Sequence, residues 1–170
     1  EAELAAGILQ HLEDDRWFHQ TRGFLETSGE LTQLFKEVLG SEDGIRCPFL
    51  GHIVTELQLD GVLIERYPKQ LDQYYKRLAE IDATAVEASV NRMATKTSDR
   101  LAYLIGRFRE EQFLRDYGEP ERLLIRLNQV MLRVHLDPLP AEMADALERS
   151  WSIVHGRVED LLPRDRFSFL

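Results

Sequence analysis

The spacing of apolar residues is the feature that most constrains the fold of this chain. Apolar residues recur three and four positions apart along almost the whole sequence, and no convincing run of alternating β-branched residues interrupts them. Such spacing gathers apolar side chains on one face of an α-helix, whereas half-buried strands require alternation. The pattern predicts an all-α fold, a compact single-domain multi-helix bundle over residues 1–170, with no repeat or long linker to indicate a second domain.

Glycine, proline and capping residues divide the pattern into successive helices. Pro48 opens one helix, because proline is tolerated in a first turn, and Tyr67 and Pro68 end it. The segment 97–99 resembles a cap for a later helix. We expect helices over the approximate ranges 4–15 or beyond, 24–39, 48–66, 69–81, 82–93, 100–117, 121–135 and 141–162.

Charge and cysteine content narrow the classes of function. The formal net charge of −9 argues against non-specific binding to nucleic acid or to an anionic membrane, because both favour cationic surfaces. Cys47 is the only cysteine, which excludes an intramolecular disulfide and suits a reducing compartment, so we expect a cytoplasmic protein. No apolar run approaches the roughly 20 residues that a membrane span requires.

Two short stretches place imidazole and carboxylate groups on one helix face. Each carries three such residues spaced four apart: His11, Asp15 and His19 in the first, and His52, Glu56 and Asp60 in the second. Every fourth side chain of a helix returns to nearly the same azimuth, so each trio forms a stripe. Large apolar residues surround both stripes. Burying imidazoles and carboxylates there is expensive unless a metal ion or a proton network pairs with them.

Helix geometry limits how these residues can share an ion. Positions i and i+8 are about 12 Å apart along a helix, whereas metal–ligand bonds are about 2.0–2.2 Å. An ion between two helices could take two members of one trio or members of both. We prefer three ligands: His11, His52 and Glu56. Asp15 either binds the ion or orients a ligand imidazole, and we expect His19 and Asp60 to support the ligands, contact substrate or pair with each other.

Two segments carry a family resemblance. Residues 6–11 read Ala-Gly-Ile-Leu-Gln-His, and Asp15 follows four positions later. This segment resembles the Gly-Ile-x-x-His-x-x-x-Asp segment of the acyl carrier protein phosphodiesterase family. The helix expected over 48–66 is similar to a family helix with acidic residues where His52 and Glu56 stand. The resemblance covers about the first 80 residues of the chain.

The resemblance implies a helical fold related to the HD-type metal-dependent phosphohydrolases and a divalent cation, often Mn²⁺ or Mg²⁺. It also implies hydrolysis of the phosphodiester that joins 4′-phosphopantetheine to a serine of acyl carrier protein, or of a related phosphoester. The family's opening Met-Asn-(Phe/Tyr)-Leu-x-His segment and a later Gly-x-x-x-x-Asp motif do not occur here. The chain starts at Glu1 without a methionine, so native residues upstream could supply those ligands. His52 in place of a carboxylate favours Zn²⁺, Fe²⁺ or Ni²⁺ over Mg²⁺.

A phosphoester hydrolase of this kind needs a base and an anchor for phosphate. The cation would polarise the phosphate and lower the pKa of a bound water, and Asp15 or Glu56, if free of the metal, would accept the proton. Arg122 and Arg126 share a helix face with Arg133, and phosphate binding is one function for them. With arginines of the preceding helix they could instead dock the acidic acyl carrier protein, which an acidic enzyme would otherwise repel. These further arginines are Arg107, Arg109 and Arg115.

Other interpretations stay open at this point. A histidine with an acid four residues away usually forms only a local helix pair that contributes a few tenths of a kcal/mol. A carboxylate di-iron protein is disfavoured because the chain contains no Glu-x-x-His pair. A non-catalytic helical binding or scaffold protein with a degenerate metal site is the remaining alternative, and the missing opening motif is consistent with it.

Overall fold

A computed structural model describes residues 1–40, 44–164 and 166. The described part is helical and contains no strand, which confirms the all-α prediction. Its helices are α1 (Ala2–Phe18), α2 (Arg22–Leu39), α3 (Arg46–Arg66), α4 (Pro68–Glu80), α5 (Ala83–Met93), α6 (Leu101–Glu111), α7 (Pro120–Arg133), α8 (Met143–Gly156) and α9 (Val158–Leu161). None of these helices is long and apolar enough to cross a membrane.

Two of the expected helices are interrupted. The helix expected over 100–117 ends at Glu111, because Gln112 adopts a left-handed conformation with φ of 44° and a short 3₁₀ helix (Phe113–Asp116) follows. The helix expected over 141–162 breaks after Gly156, since glycine is a weak helix former. The break turns α9 back against α2, where Leu161 is fully buried.

The core lies between α2, α3, α7 and α8, and the contact between α2 and α3 is the most extensive. Gly51 makes this contact close, because a Cβ atom there would lie 2.5 Å from the backbone oxygen of Ser28. Large side chains from all four helices fill the core, among them Leu31, Phe35, Leu50, Val54, Leu127, Met131 and Leu147. Helix α3, which carries one of the two polar stripes, is therefore held in place by packing in the core.

Helix α1, by contrast, buries none of its residues and makes no extensive contact with any other helix. Leu9 and Leu12 on its middle turns are exposed. At its N-cap, Glu1 forms an ion pair with Arg92 at the end of α5. At its last residue, Phe18 packs against the core. Only the C-terminal end of α1 is therefore held against the central helices.

Candidate metal centre

The site forms where the end of α1 meets the middle of α3. His19 is the C-terminal cap of α1, and its backbone N–H donates to the carbonyl of Asp15 at 3.1 Å. Two residues later, the hydroxyl of Thr21 accepts from the backbone N–H of Phe24 and caps α2. Because α2 packs along α3, this tight connection places His19 beside α3.

Three ligand-type side chains converge at this point. Nε2 of His19 lies 2.6 Å from Oε1 of Glu56, and Nε2 of His52 lies 3.5 Å from the same oxygen. One ligand atom from each of the three lies within 4.8 Å of the other two. Ligands bound to one ion at about 2.0–2.2 Å are about 3–3.5 Å apart. Small side-chain movements would therefore let all three bind one ion, and no other such group occurs in the described residues.

One side of the site is apolar and the other is open. The ring of Phe24 lies 4.7 Å from the ring of His19 and 4.9 Å from that of His52, measured between centroids. Phe24 is itself buried, so it holds both imidazoles from the core side. The side chains of His19, His52 and Glu56 retain 26%, 46% and 36% of their accessible surface. An ion and a substrate can therefore reach the site from solvent.

Asp15 lies behind the site, on the preceding turn of α1. Its Oδ2 is 3.6 Å from Nδ1 of His19, while Nε2 of the same ring points to Glu56. The 3.6 Å separation is beyond hydrogen-bond length, so the attraction is electrostatic. A carboxylate at the far nitrogen of a ligand imidazole orients the ring and raises its basicity. Of the two roles expected for Asp15, this placement favours orienting the imidazole.

The structure does not bring His11 into the site. His11 is exposed and lies two helical turns before His19, about 12 Å along α1 at 1.5 Å per residue. The group contains His19 instead, because only the end of α1 contacts α3. The cap at Thr21 is the sequence feature that could have identified His19, since it puts the start of the next core helix directly after that residue.

Asp60 lies one turn after Glu56 on α3, in the wall of a pocket of about 600 Å³. Solvent reaches this residue, but the concave wall surrounds its carboxyl group with apolar side chains. Partial desolvation by these surrounding side chains, and to a smaller extent repulsion from the Glu56 carboxylate, raise the pKa of Asp60 to about 6. No hydrogen bond or ion pair holds this carboxyl group in the described part of the chain. Asp60 is therefore free to contact a bound molecule.

The two arginines expected to bind phosphate are engaged elsewhere. Arg126 lies 2.7 Å from Asp116 and 2.9 Å from Glu111 and retains only 20% of its side-chain surface. Arg122 pairs with the same Asp116 at 3.5 Å. Neither arginine lines the pocket beside Asp60. Their donors serve ion pairs within the α6–α7 region, where they join the 3₁₀ helix to its neighbours.

Comparisons of this chain with protein-family models, curated proteins and solved structures gave no match. The chemistry of the site must therefore be argued from its donor atoms. Two imidazoles and one carboxylate suit Zn²⁺, Fe²⁺ or Ni²⁺ better than Mg²⁺, which prefers oxygen ligands. Three protein ligands with an open side are typical of catalytic sites, whereas structural zinc sites have four protein ligands.

Proposed function

We propose that this protein is a divalent-metal-dependent phosphoester hydrolase that holds its ion with His19, His52 and Glu56. The observation that supports this most is the convergence of these three side chains beside an open pocket. The reaction class comes from the resemblance of residues 6–15 and 48–66 to the acyl carrier protein phosphodiesterases. The relation of the helical fold to the HD-type phosphohydrolases belongs to the same proposal.

The donor set determines which ions we propose. The resemblance implies Mn²⁺ or Mg²⁺, but two nitrogen ligands favour Zn²⁺, Fe²⁺ or Ni²⁺. When bound, such an ion would polarise a phosphoryl oxygen and lower the pKa of a water molecule. The side chains supply the remainder of the chemistry. Phe24 keeps both imidazole rings in place, and with an ion on Nε2, Asp15 would stabilise the tautomer of His19 whose Nδ1 carries the proton.

Asp60 is the base that we assign to the reaction. It is one turn from Glu56, it has no protein partner in the described residues, and its pKa of about 6 leaves it largely ionised at neutral pH. As the water oxygen bonds to phosphorus, the Asp60 carboxylate accepts the water proton. The phosphorus–oxygen ester bond then breaks, and the leaving alkoxide takes a proton from solvent. This assignment replaces Asp15 and Glu56 as the expected bases, because the first faces His19 and the second is a ligand.

The charge pairing of the arginines favours a small phosphoester over acyl carrier protein as the substrate. Docking an acidic protein on a chain of net charge −9 requires a cationic patch. Four of the arginines expected to form that patch pair with carboxylates: Arg122 and Arg126 with Asp116, Arg107 with Glu111, and Arg115 with Asp72. Arg109 instead donates to the backbone carbonyl of Ile81. Their positive charge is therefore largely compensated within the protein.

A hydrolysis assay with metal-loaded protein tests the proposal. Purified protein is stripped of metal, loaded in turn with Zn²⁺, Fe²⁺, Ni²⁺, Mn²⁺ or Mg²⁺, and assayed with bis(p-nitrophenyl) phosphate and with holo acyl carrier protein. We expect turnover of the small ester with at least one nitrogen-preferring ion, and loss of that turnover on His52→Ala. The control is His155→Ala, which removes an exposed imidazole on α8. Metal binding without turnover of either substrate would contradict the proposal.

A further inference from the structure

The pocket beside Asp60 continues the stripe that carries the metal ligands. Glu56, Asp60 and Ile64 follow one another at intervals of four residues on α3, so their side chains lie on one face. Ile64 lines the pocket with Asp60, whereas Glu56 belongs to the candidate metal centre. One helical turn, about 6 Å along the axis, separates the metal ligand from the start of the pocket. A molecule of moderate size could occupy both.

The wall of this pocket is mostly apolar. Apart from Asp60, every described residue that lines it is uncharged, and most are leucine, isoleucine or tyrosine. The volume of about 600 Å³ is typical of small-molecule sites, which span roughly 300–1,000 Å³. No lysine or arginine of the described chain lines it, so the pocket offers an anionic phosphate no counter-charge. The pocket therefore suits the organic part of a phosphoester, with the phosphate at the metal centre.

The shape of the apolar surface favours a chain over a compact ring system. A second pocket of about 270 Å³ shares Tyr74 with the first and continues between α4 and α6. Its other walls are Leu78, Leu104, Ile105 and Phe108. In the second pocket Tyr74 is the only lining residue of the described chain with a polar side-chain group, so a pantetheine arm would place its amide groups against hydrocarbon there, where unpaired polar groups are costly. An alkyl chain has no such groups to satisfy.

We infer that the pocket beside Asp60 binds the aliphatic chain of an amphiphilic phosphoester whose phosphate lies at His19, His52 and Glu56. This inference rests on the proposed hydrolase function and names its substrate class. The chain passes Asp60, runs along Ile64 and Leu71, and extends toward Tyr74 when it is long enough. Each methylene group that enters adds about 0.8 kcal/mol of favourable transfer free energy, or about fourfold in affinity.

Calorimetric titration with two ligand series tests this inference. n-Butyl, n-hexyl and n-octyl phosphate are titrated into zinc-loaded protein below their micellar concentrations, and 1-hexanol and 1-octanol into metal-free protein. We expect affinity to rise about threefold to fourfold per methylene in both series. Ile64→Glu should abolish this chain-length dependence. Ile125→Glu is the matched control, because Ile125 is exposed on α7 and lies outside the pocket. Tyr74→Ala, at an exposed pocket residue, should weaken octyl more than butyl phosphate.

The two series separate failure of this inference from failure of the proposed function. Alcohol affinity that does not depend on chain length, or that Ile64→Glu leaves unchanged, would overturn the inference. Zinc binding and hydrolysis of bis(p-nitrophenyl) phosphate would in that case still support the hydrolase. Chain-length dependence for the alcohols, with no added affinity for octyl phosphate when zinc is bound, would also overturn the inference. In that result the pocket would bind hydrocarbon independently of the metal centre.

Discussion

Nε2 of His19 lies 2.6 Å from Oε1 of Glu56, although 37 positions separate the two residues in the chain. This contact joins the end of α1 to the middle of α3 and creates the candidate metal centre. In metal-free protein the imidazole N–H donates to the carboxylate. A metal ion must displace that proton, since both atoms bind metal only when deprotonated. Proton and metal therefore compete for the same pair of atoms.

Asp15→Asn should weaken metal binding without removing a ligand. The substitution takes away the negative charge 3.6 Å from Nδ1 of His19, so the ring is less firmly oriented toward the ion. Loss of such a supporting carboxylate typically reduces metal affinity about 10-fold to 100-fold. Asp14→Asn is the control, because it makes the same charge change one residue away, where Asp14 pairs with Gln10 and Arg166. Equal weakening by both variants, measured by zinc titration, would mean that Asp15 acts only through net charge.

Asp60→Asn should stabilise the metal-free protein at pH 8 and not at pH 4. At pH 4, Asp60 is largely protonated in the folded state. In the unfolded state its pKa has the ordinary value of 3.8, so somewhat less than half of the carboxyl groups are still protonated. As the pH rises toward the folded pKa of about 6, the unfolded chain loses the proton first, so stability falls. Above about pH 6 the folded protein carries the unfavourable charge in full, whereas asparagine stays neutral.

Urea unfolding with a metal chelator present, at both pH values, measures this effect. Asp99→Asn is the control, because Asp99 is exposed in the segment before α6. A gain on Asp60→Asn that is equal at pH 4 and pH 8 would show that burial does not disfavour the Asp60 charge.

Gly51→Ala should destabilise the protein, although alanine is the better helix former. A Cβ at this position would lie 2.5 Å from the backbone oxygen of Ser28, so α2 and α3 would have to separate. Overpacking of this kind costs about 1–3 kcal/mol. The matched control is Gly29→Ala on α2, where a Cβ meets nothing within 4 Å. There we expect stabilisation of about 0.5–1 kcal/mol. Thermal unfolding of both variants checks the prediction, and stabilisation by both would contradict it.

Gln112→Gly should be more stable than Gln112→Ala. Gln112 has φ of 44° at the end of α6, a left-handed conformation that costs an L-residue about 1–2 kcal/mol and costs glycine little. Both variants lose the hydrogen bond from Nε of Arg115 to Oε1 of Gln112, at 2.8 Å. Their difference in free energy of unfolding therefore reports the backbone alone, and we expect about 1 kcal/mol in favour of glycine. Equal stability would show that the conformation is not strained.

Much of the helical architecture could be predicted from apolar spacing, because amphipathic helices that face a core carry that spacing in their residues. The helices over 22–39 and 46–66 begin within two residues of the expected positions. The end of α6 could not be predicted, since nothing in the local sequence distinguishes Gln112 from a helical glutamine. Its backbone is set by the 3₁₀ helix that follows and by the contacts of that helix with α3 and α7.

The candidate site was predictable on one helix only. His52 and Glu56 share a face of α3 because of their spacing, and the structure brings them together. The residue that joins them from α1 depends on where two helices cross, and helical periodicity does not encode that position. His11 and His19 lie on the same stripe and are equivalent by periodicity. Only the turn at Thr21 distinguishes them, because it ties His19 to the core.

Zinc titration of metal-free protein by calorimetry tests the central claim most directly, with His19→Ala and His11→Ala compared with the unaltered chain. We predict one ion per chain, a loss of affinity of at least 100-fold on His19→Ala, and affinity within twofold of the unaltered chain on His11→Ala. Each substitution removes one imidazole, from α1 in His11→Ala and from the C-terminal cap of α1 in His19→Ala, so the change in composition is matched. Unchanged zinc affinity on His19→Ala, or loss of binding on His11→Ala, would contradict a metal centre built from His19, His52 and Glu56.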